Sequence, residues 1–239
     1  MKVFVVEAKY EDKIIIPEKI IKKLPKNVTL ALSIQYIDNA KEIVKQLNTY
    51  GIKVNLFKGY HSKYSGQMIG CDMVKDCQGG EAFFYVGDGL FHPYTLIMRS
   101  ECQAHCYFPY SGEYKLIGEK EVKQIVQRHT AAQFKLVQAK NIGIIATTKY
   151  GQNNLKSALE LKKFLKEKKK VTVFISDTLD FNELENFPFV EIWINTMCPR
   201  ISYDDQLKFR KLVLDIRDAI EVLKSEYPEF SFSGKLCAR

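Results

Sequence analysis

Cysteines are the residues of this sequence best suited to chemistry, and Cys198 has the most informative surroundings. It lies in NTMCPRI at 195–201, directly after the apolar run FVEIWI at 189–194. Such a run is typical of a strand buried on both faces, and open α/β sheets bind ligands at the carboxyl ends of their strands. Pro199 cannot donate to a sheet ladder, and Arg200 places a positive charge that favours the thiolate. We therefore treat Cys198 as a candidate ligand, and the alternative is a buried structural cysteine.

Cys71 lies in a second glycine-marked segment, SGQMIGCD at 65–72, within a predicted loop at 59–80. Gly66 and Gly70 would let the backbone approach a bulky ligand closely. The strand predicted next, at 82–86, ends in GDG at 87–89, and FHP follows at 91–93. This turn also stands at the carboxyl end of a strand, so it is a candidate pocket.

The remaining cysteines give weaker signals. The sequence has no CxxC pair, which disfavours a zinc ribbon, while Cys102 and Cys106 flank His105 at a spacing that only weakly suggests metal binding. In a cytosolic protein, cysteines indicate metal binding or catalysis before structural disulfides. The alternative for Cys102 and Cys106 is a pair of partly buried thiols. Cys77 has no recognisable role, and Cys237 falls in a predicted loose tail.

Length and composition indicate a globular chain of one or two domains. The chain has 239 residues, 46% of them hydrophobic, and a net charge of +8. It has no apolar run long enough for a membrane span and no signal-peptide pattern at its start, so we expect a soluble protein of the cytoplasm. The lysines at 162–170 enclose one aromatic residue, Phe164, whereas a single-strand binding platform presents several, so direct nucleic-acid binding is not expected. The GxxxxGK[ST] phosphate loop is absent, which disfavours nucleotide hydrolysis.

Hydrophobic periodicity predicts two similar β-α-β units. Strands are predicted at 28–34 and 52–57 around a helix that Asp38 caps, and again at 142–146 and 171–175 around a helix capped by Asn153 or Asn154. We therefore predict an α/β fold with two similar parallel-sheet domains and facing active loops. The predicted domains are 1–118, which carries Cys71, and 119–239, which carries Cys198. The alternative is a coincidence between two ordinary β-α-β units.

Other elements are predicted around these units: a leading strand at 3–7, a short helix at 17–24, an edge hairpin at 107–114, a long linking helix at 119–136, a helix at 204–224 that Ser202 caps, and a loose tail at 228–239.

Four segments, taken in order, resemble motifs of the archaeal diphthamide synthase family. GQMIGCD at 66–72 is similar to the family's second cysteine motif, and FFYVGDGLFHP at 83–93 to the strand and loop that follow it. TKYGQ at 148–152 resembles the loop that opens the third domain. NTMCPRI at 195–201, with Asp204 and Asp205, resembles the third cysteine motif.

The resemblance implies a non-standard radical enzyme that uses S-adenosylmethionine as substrate. Family members hold a [4Fe–4S] cluster with three cysteines, one from each of three similar domains. They transfer a 3-amino-3-carboxypropyl group to a histidine of translation elongation factor two. Carried over to this sequence, the cluster ligands are Cys71 and Cys198, and the S-adenosylmethionine pocket contains Gln67, Gly87, Asp88, Gly89, His92 and Arg200.

Each proposed pocket residue has a plainer alternative. Residues 87–89 could simply form a turn, and His92 could orient that loop. Arg200 could bind a substrate carboxylate or pair with Asp204 or Asp205.

The sequence departs from the family in one respect: the first domain, with its own cysteine, has no counterpart here. The resemblance therefore supports an active component whose third ligand comes from a diphthamide synthase-like partner chain or a homo-oligomer. A non-catalytic partner subunit, or a relative that binds the elongation factor, is the second interpretation. An unrelated α/β binding protein is the third.

Overall fold

The computed structural model describes residues 6–100 and 102–234. The chain forms two compact units, 1–123 and 124–239. Of the predicted leading strand, residues 3–5 lie outside the described residues, and residues 6 and 7 are not in a strand. Cys237 also lies outside the described residues. In the part of the chain that is described, no helix combines the length and apolar character that crossing a membrane requires.

Unit 1 is a five-stranded sheet with helices. Its strands lie in the order β2-β1-β3-β4-β5, and the first four are parallel while β5 is antiparallel to β4. The predicted hairpin at the sheet edge is therefore confirmed. The elements are α1 (Glu18–Ile21), β1 (Asn27–Leu32), α2 (Ala40–Thr49), β2 (Lys53–Leu56), β3 (Ala82–Val86), α3 (Phe91–Ile97), β4 (Ala104–Phe108) and β5 (Glu113–Ile117).

Unit 2 contains a four-stranded sheet that is parallel throughout, in the order β7-β6-β8-β9. Helix α4 begins within the residue range of unit 1 and continues into unit 2. The elements are α4 (Glu119–Gln138), β6 (Asn141–Ala146), α5 (Leu155–Leu165), β7 (Lys170–Ile175), β8 (Ile192–Asn195), α6 (Arg200–Tyr203), β9 (Val213–Asp215) and α7 (Ile216–Glu226).

The central strands of both sheets are buried, whereas the edge strands β2, β5 and β7 are partly exposed. Every residue of β3 and of β8 is buried, and for β8 the apolar run before Cys198 predicted this. Helix α2 covers the sheet of unit 1 with Ile43 and Leu47, which are fully buried one turn apart. Helix α5 likewise buries Leu161 and Leu165 in unit 2.

The two units repeat one topology. If the strands of each unit are numbered from its start, both sheets contain the order 2-1-3-4. The predicted α/β fold with two parallel-dominated sheets is confirmed. The predicted facing of the two active loops stays a prediction.

The helix predicted at 204–224 forms only in its second half, as α7 (Ile216–Glu226), and the prediction is wrong for residues 204–215. Ser202 lies inside the short helix α6, a 3-10 turn follows at Gln206–Lys208, and β9 then pairs with β8. The error arises because a strand of three consecutive buried residues is too short to show the alternation of a strand. Its apolar residues therefore appear to continue the helical pattern of the residues that follow. The actual cap of α7 is Asp215, whose carboxylate accepts a hydrogen bond from Arg217 N at 2.9 Å.

Three further predictions need correction. Asp38 does not cap α2, because a 3-10 helix at Ile34–Asn39 leads directly into it. The strand predicted at 189–194 begins only at Ile192. The tail is not loose throughout, since Phe230 is buried against Phe164, with 4.5 Å between the ring centroids.

Candidate functional site

The loop that carries Cys71 returns to the carboxyl end of β1. Leu32 N donates to Gly66 O at 2.8 Å, and Met68 N donates to Leu32 O at 2.8 Å, so residues 66–68 run parallel to the end of that strand. Gly66 N also donates to Phe57 O at 2.9 Å. These bonds bring Cys71, which is half-buried, to the edge of the sheet where α/β proteins bind ligands.

The Cys71 turn packs on helix α3 through Phe91 and Thr95. Thr95 Oγ1 donates to Gly70 O at 3.3 Å. A Cβ added to Gly70 would lie 2.3 Å from Phe91 Cε1, so the absent side chain at 70 makes room for this ring. The close approach predicted for Gly70 is therefore made to a side chain of the same unit, and the contact fixes the turn.

Gln67 supports the loop from within. Its side chain is buried, and its Oε1 accepts hydrogen bonds from Lys63 N at 2.8 Å and Tyr64 N at 3.0 Å. A buried amide oxygen with two backbone donors organises the polypeptide around it. These bonds give Gln67 a positioning role in the loop.

The turn at 87–89 lies at the carboxyl end of β3, as predicted. Asp88 is exposed, and its carboxylate accepts a hydrogen bond from Tyr36 Oη. His92 Nδ1 lies 3.4 Å from Tyr85 Oη. A Cβ on Gly87 would lie 2.2 Å from Tyr85 Oη, so the buried tyrosine requires glycine there. Gly89 has a φ of 72°, a left-handed conformation that glycine adopts without strain.

The Cys198 turn is held by buried polar side chains. Asn195 Nδ2 donates to Cys198 O at 2.9 Å, and Asn195 Oδ1 accepts from Met197 N at 3.0 Å. Thr196 Oγ1 donates to Ile145 O, and Asn154 Nδ2 donates to Thr196 O, both at 2.9 Å. The turn is thus fastened to β6 and to the start of α5 at the carboxyl end of the sheet.

Arg200 does not make Cys198 acidic. Burial raises the pKa of the Cys198 thiol, and the hydrogen bond and positive charge of Arg200 offset this rise only in part. The guanidinium is itself buried and forms an ion pair with Asp204. The expected shift toward thiolate is therefore wrong for the protein without a ligand, because desolvation of the charged form outweighs the cation.

Helix α4 braces the segment after Cys198, a feature that sequence reasoning missed. Asp218, buried at the start of α7, is bonded to His129 Nε2 at 2.9 Å and to Tyr203 Oη. Arg128 donates to Gln206 O at 3.2 Å and to Phe209 O at 2.9 Å. The signal that sequence reasoning could have used is Arg128 and His129, two adjacent ionisable residues of α4 that are half-buried.

The other described cysteines are unsuited to ligation. Cys77 and Cys102 form a disulfide with 6.0 Å between their Cα atoms, whereas the sequence favoured metal binding, catalysis or partly buried thiols over a structural disulfide. This bond ties the loop that carries Cys71 to the residues preceding β4. Cys106 is buried within β4, and burial raises the pKa of its thiol to about 12. His105 is also buried, and its Nδ1 lies 2.8 Å from Tyr114 Oη, so the weak metal signal at 102–106 has a structural explanation.

A small cavity lies beside the Cys198 turn in unit 2. Its volume is about 210 Å³, and its lining includes Met197, Phe174, Leu184 and Ser176. Ligand pockets usually measure about 300–1,000 Å³, so this cavity is large enough for only part of a metabolite.

These features define an α/β protein whose two predominantly parallel sheets each hold a cysteine-bearing turn at the carboxyl ends of the strands. Residues 2–230 match the family described as "Putative diphthamide synthesis protein", and the chain belongs to that family.

Named relatives agree with this assignment. The chain is 29% identical over 214 residues to the 2-(3-amino-3-carboxypropyl)histidine synthase of Pyrococcus horikoshii, covering 89% of this chain and 61% of the relative. For the synthase of Methanocaldococcus jannaschii the identity is 25%, covering 80% of this chain and 58% of the relative. The crystal structure of Dph2 from Pyrococcus horikoshii with a 4Fe-4S cluster superimposes with a TM-score of 0.69 at 26% identity, covering 90% of this chain and 62% of the other. The chain thus spans less than two thirds of each of these proteins.

Proposed function

We propose that the chain is a component of a 2-(3-amino-3-carboxypropyl)histidine synthase, the enzyme of the first step of diphthamide biosynthesis. Cys71 and Cys198 are the proposed protein ligands of one [4Fe–4S] cluster. The observation that supports this most strongly is the placement of both thiols on braced turns at strand ends, in a chain that resembles a structure with a 4Fe-4S cluster.

The donor chemistry fits the cluster. Cluster iron prefers thiolate ligands, and neither Cys71 nor Cys198 is in a disulfide. The raised pKa of Cys198 does not oppose this, because iron displaces the thiol proton on binding. When bound, the cluster supplies the electron for reductive cleavage of S-adenosylmethionine, the source of the 3-amino-3-carboxypropyl group.

The third thiolate is proposed to come from outside the described residues. Cys77 and Cys102 are bonded to each other, and Cys106 is buried in a strand. We propose a diphthamide synthase-like partner chain or a homo-oligomer as the donor. A third protein ligand would leave one iron open to S-adenosylmethionine.

The surrounding residues have separate proposed roles. Asp88 is exposed at the strand end and can accept hydrogen bonds from the substrate ammonium group. Gly87, Gly89 and His92 shape the same loop. Arg200 is buried and paired with Asp204, which supports a role in holding the Cys198 turn over direct contact with a substrate carboxylate. Gln67 holds the Cys71 loop in the same way.

The proposed protein substrate is a histidine of translation elongation factor two. We place the reaction in the cytoplasm, without a membrane or direct nucleic-acid contacts. The second candidate is a non-catalytic partner subunit. It is favoured over a complete single-chain site because only two of the described cysteines are suited to ligation.

The test is anaerobic reconstitution with iron and sulfide, followed by dithionite, S-adenosylmethionine and elongation factor two. The reaction is run with the chain alone and with a diphthamide synthase-like partner. We expect the elongation factor to gain the mass of one 3-amino-3-carboxypropyl group when the partner is present, and Cys198→Ala to abolish the gain.

Cys237→Ala is the control, because residue 237 lies beyond every recognisable motif of the sequence. A full single-turnover yield with monomeric chain alone would contradict the requirement for an external ligand. Equal yields with the wild type and Cys198→Ala would establish the non-catalytic alternative.

A further inference from the structure

The Cys71 loop contains a second set of metal-ligating side chains. A ring nitrogen of His61, the thiol sulfur of Cys71 and a carboxylate oxygen of Asp72 all lie within 4.8 Å of one another. Around one tetrahedral ion with bonds of about 2.0–2.3 Å, ligand atoms are roughly 3–4 Å apart. Small side-chain movements therefore bring these three atoms onto a single ion.

Asp72 supplies an independent observation that points to a cation. It is fully buried, and its Oδ1 accepts a hydrogen bond from His61 N at 3.0 Å. Its Oδ2 has no hydrogen-bond partner among the described residues. A buried carboxylate oxygen without a partner is costly, and a bound cation offsets that cost.

We propose that His61, Cys71 and Asp72 bind one divalent transition-metal ion of the Zn²⁺ or Fe²⁺ type. Imidazole and thiolate donors select such ions over Mg²⁺ and Ca²⁺, which prefer oxygen ligands. Three protein ligands leave a fourth position for water. Because Cys71 is also a proposed cluster ligand, the ion and the cluster exclude each other at this thiol, a consequence that rests on the proposed function.

Co²⁺ is the probe, since it takes zinc-like sites and its spectrum reports thiolate ligation. The full-length chain is purified without iron and titrated anaerobically with Co²⁺ alone. We expect one equivalent to bind with a thiolate-to-cobalt charge-transfer band and the visible bands of tetrahedral cobalt. Cys71→Ser should remove the charge-transfer band, and His61→Ala and Asp72→Asn should each lower the affinity by about 10–100-fold or more.

Two controls separate this site from the cluster. Cys198→Ala should bind Co²⁺ like the wild type, although the proposed function requires it to lose the cluster. His92→Ala, another half-buried histidine of unit 1, should also leave the affinity unchanged. His61 is only half-buried, so His61→Ala is expected to fold, and circular dichroism checks this.

Unchanged affinity in folded His61→Ala would overturn the proposal, and so would the absence of a thiolate band in the wild type. An equal loss in Cys198→Ala would place the cobalt at the cluster ligands instead. If cluster loading fails while cobalt binding persists, the proposed function fails and this inference stands.

Discussion

At position 87 the space for a side chain is already occupied. A Cβ there would lie 2.2 Å from Tyr85 Oη and 2.5 Å from Tyr85 Cζ, and the tyrosine ring is buried and cannot swing away. We expect Gly87→Ala to lower the free energy of unfolding by about 1–3 kcal/mol, the usual cost of overpacking. Urea unfolding measures this change.

Gly89→Ala is the matched control for that substitution. Its Cβ would meet no atom within 4 Å, so only the strain of its left-handed backbone, φ 72°, would act. That strain costs about 1–2 kcal/mol. A larger loss in Gly89→Ala than in Gly87→Ala would show that contact with Tyr85 does not decide the residue at 87.

The residue types in the sequence predicted the positions of the site well. They predicted the chemical properties of its side chains less well. The turns with Cys71 and Cys198 lie at strand ends, as expected. Arg200 was expected to favour the Cys198 thiolate, yet burial raises the pKa of that thiol. The pKa of the thiol depends on how deeply it is buried, and the adjacent residues in the sequence do not reveal that burial.

At the scale of elements, Tyr203 connects α6 to α7. Its hydroxyl donates to the buried carboxylate of Asp218, which His129 on α4 also contacts. A hydrogen bond to a buried charged group contributes about 1.5–3 kcal/mol, so Tyr203→Phe should lower the free energy of unfolding by that amount. Tyr150→Phe, at a side chain 82% exposed, should change it by less than about 0.5 kcal/mol in urea unfolding. If both substitutions change the free energy of unfolding by equally small amounts, the proposed role of Asp218 in connecting α4, α6 and α7 is contradicted.

Glu191, the residue before β8, accepts hydrogen bonds from Asn141 at the start of β6. Hydrogen bonds from Lys135 and from the backbone N–H groups of Asn141 and Lys140 lower the pKa of Glu191 from 4.5 to about 2. Because the folded pKa lies below the unfolded one, this carboxylate stabilises the fold fully above about pH 4.5. The contribution is lost as the pH falls toward 2.

Glu191→Gln tests this dependence because it keeps the shape and removes the titration. We expect the variant to be less stable than the wild type at neutral pH, with the difference shrinking between about pH 4.5 and 2. Urea midpoints measured across that range check it. A difference that stays constant with pH would contradict the role of the carboxylate charge.

The elements with long or repeated patterns were predictable, and the short ones were not. The β-α-β units show clear periodicity over both strands and the helix. Strand β9 contains three residues and was hidden in a predicted helix, because Val213 and Leu214 also fit helical spacing. Its place in the sheet depends on pairing with β8, a contact that is distant in sequence.

At the scale of the whole molecule, the two-sheet α/β fold follows from the repeated pattern, whereas the loop contacts do not. The disulfide joins Cys77 to Cys102 across a sequence separation of 25 residues. The approach of His61 to Asp72 likewise depends on the path of a long loop. Only the folded loop brings such residues together, so spacing alone could not predict either contact.

The central claim is that Cys71 and Cys198 ligate the same cluster. The most direct measurement is the iron and sulfide content of anaerobically reconstituted protein, with the partner present, for Cys71→Ala, Cys198→Ala and the double variant. Electron paramagnetic resonance after dithionite reduction accompanies it, and Cys237→Ala is the control. If one cluster needs both thiols, each single variant loses as much iron and signal as the double variant, while Cys237→Ala retains both. If each single variant keeps about half of the iron and only the double variant loses it all, the two cysteines serve separate sites and the claim is contradicted.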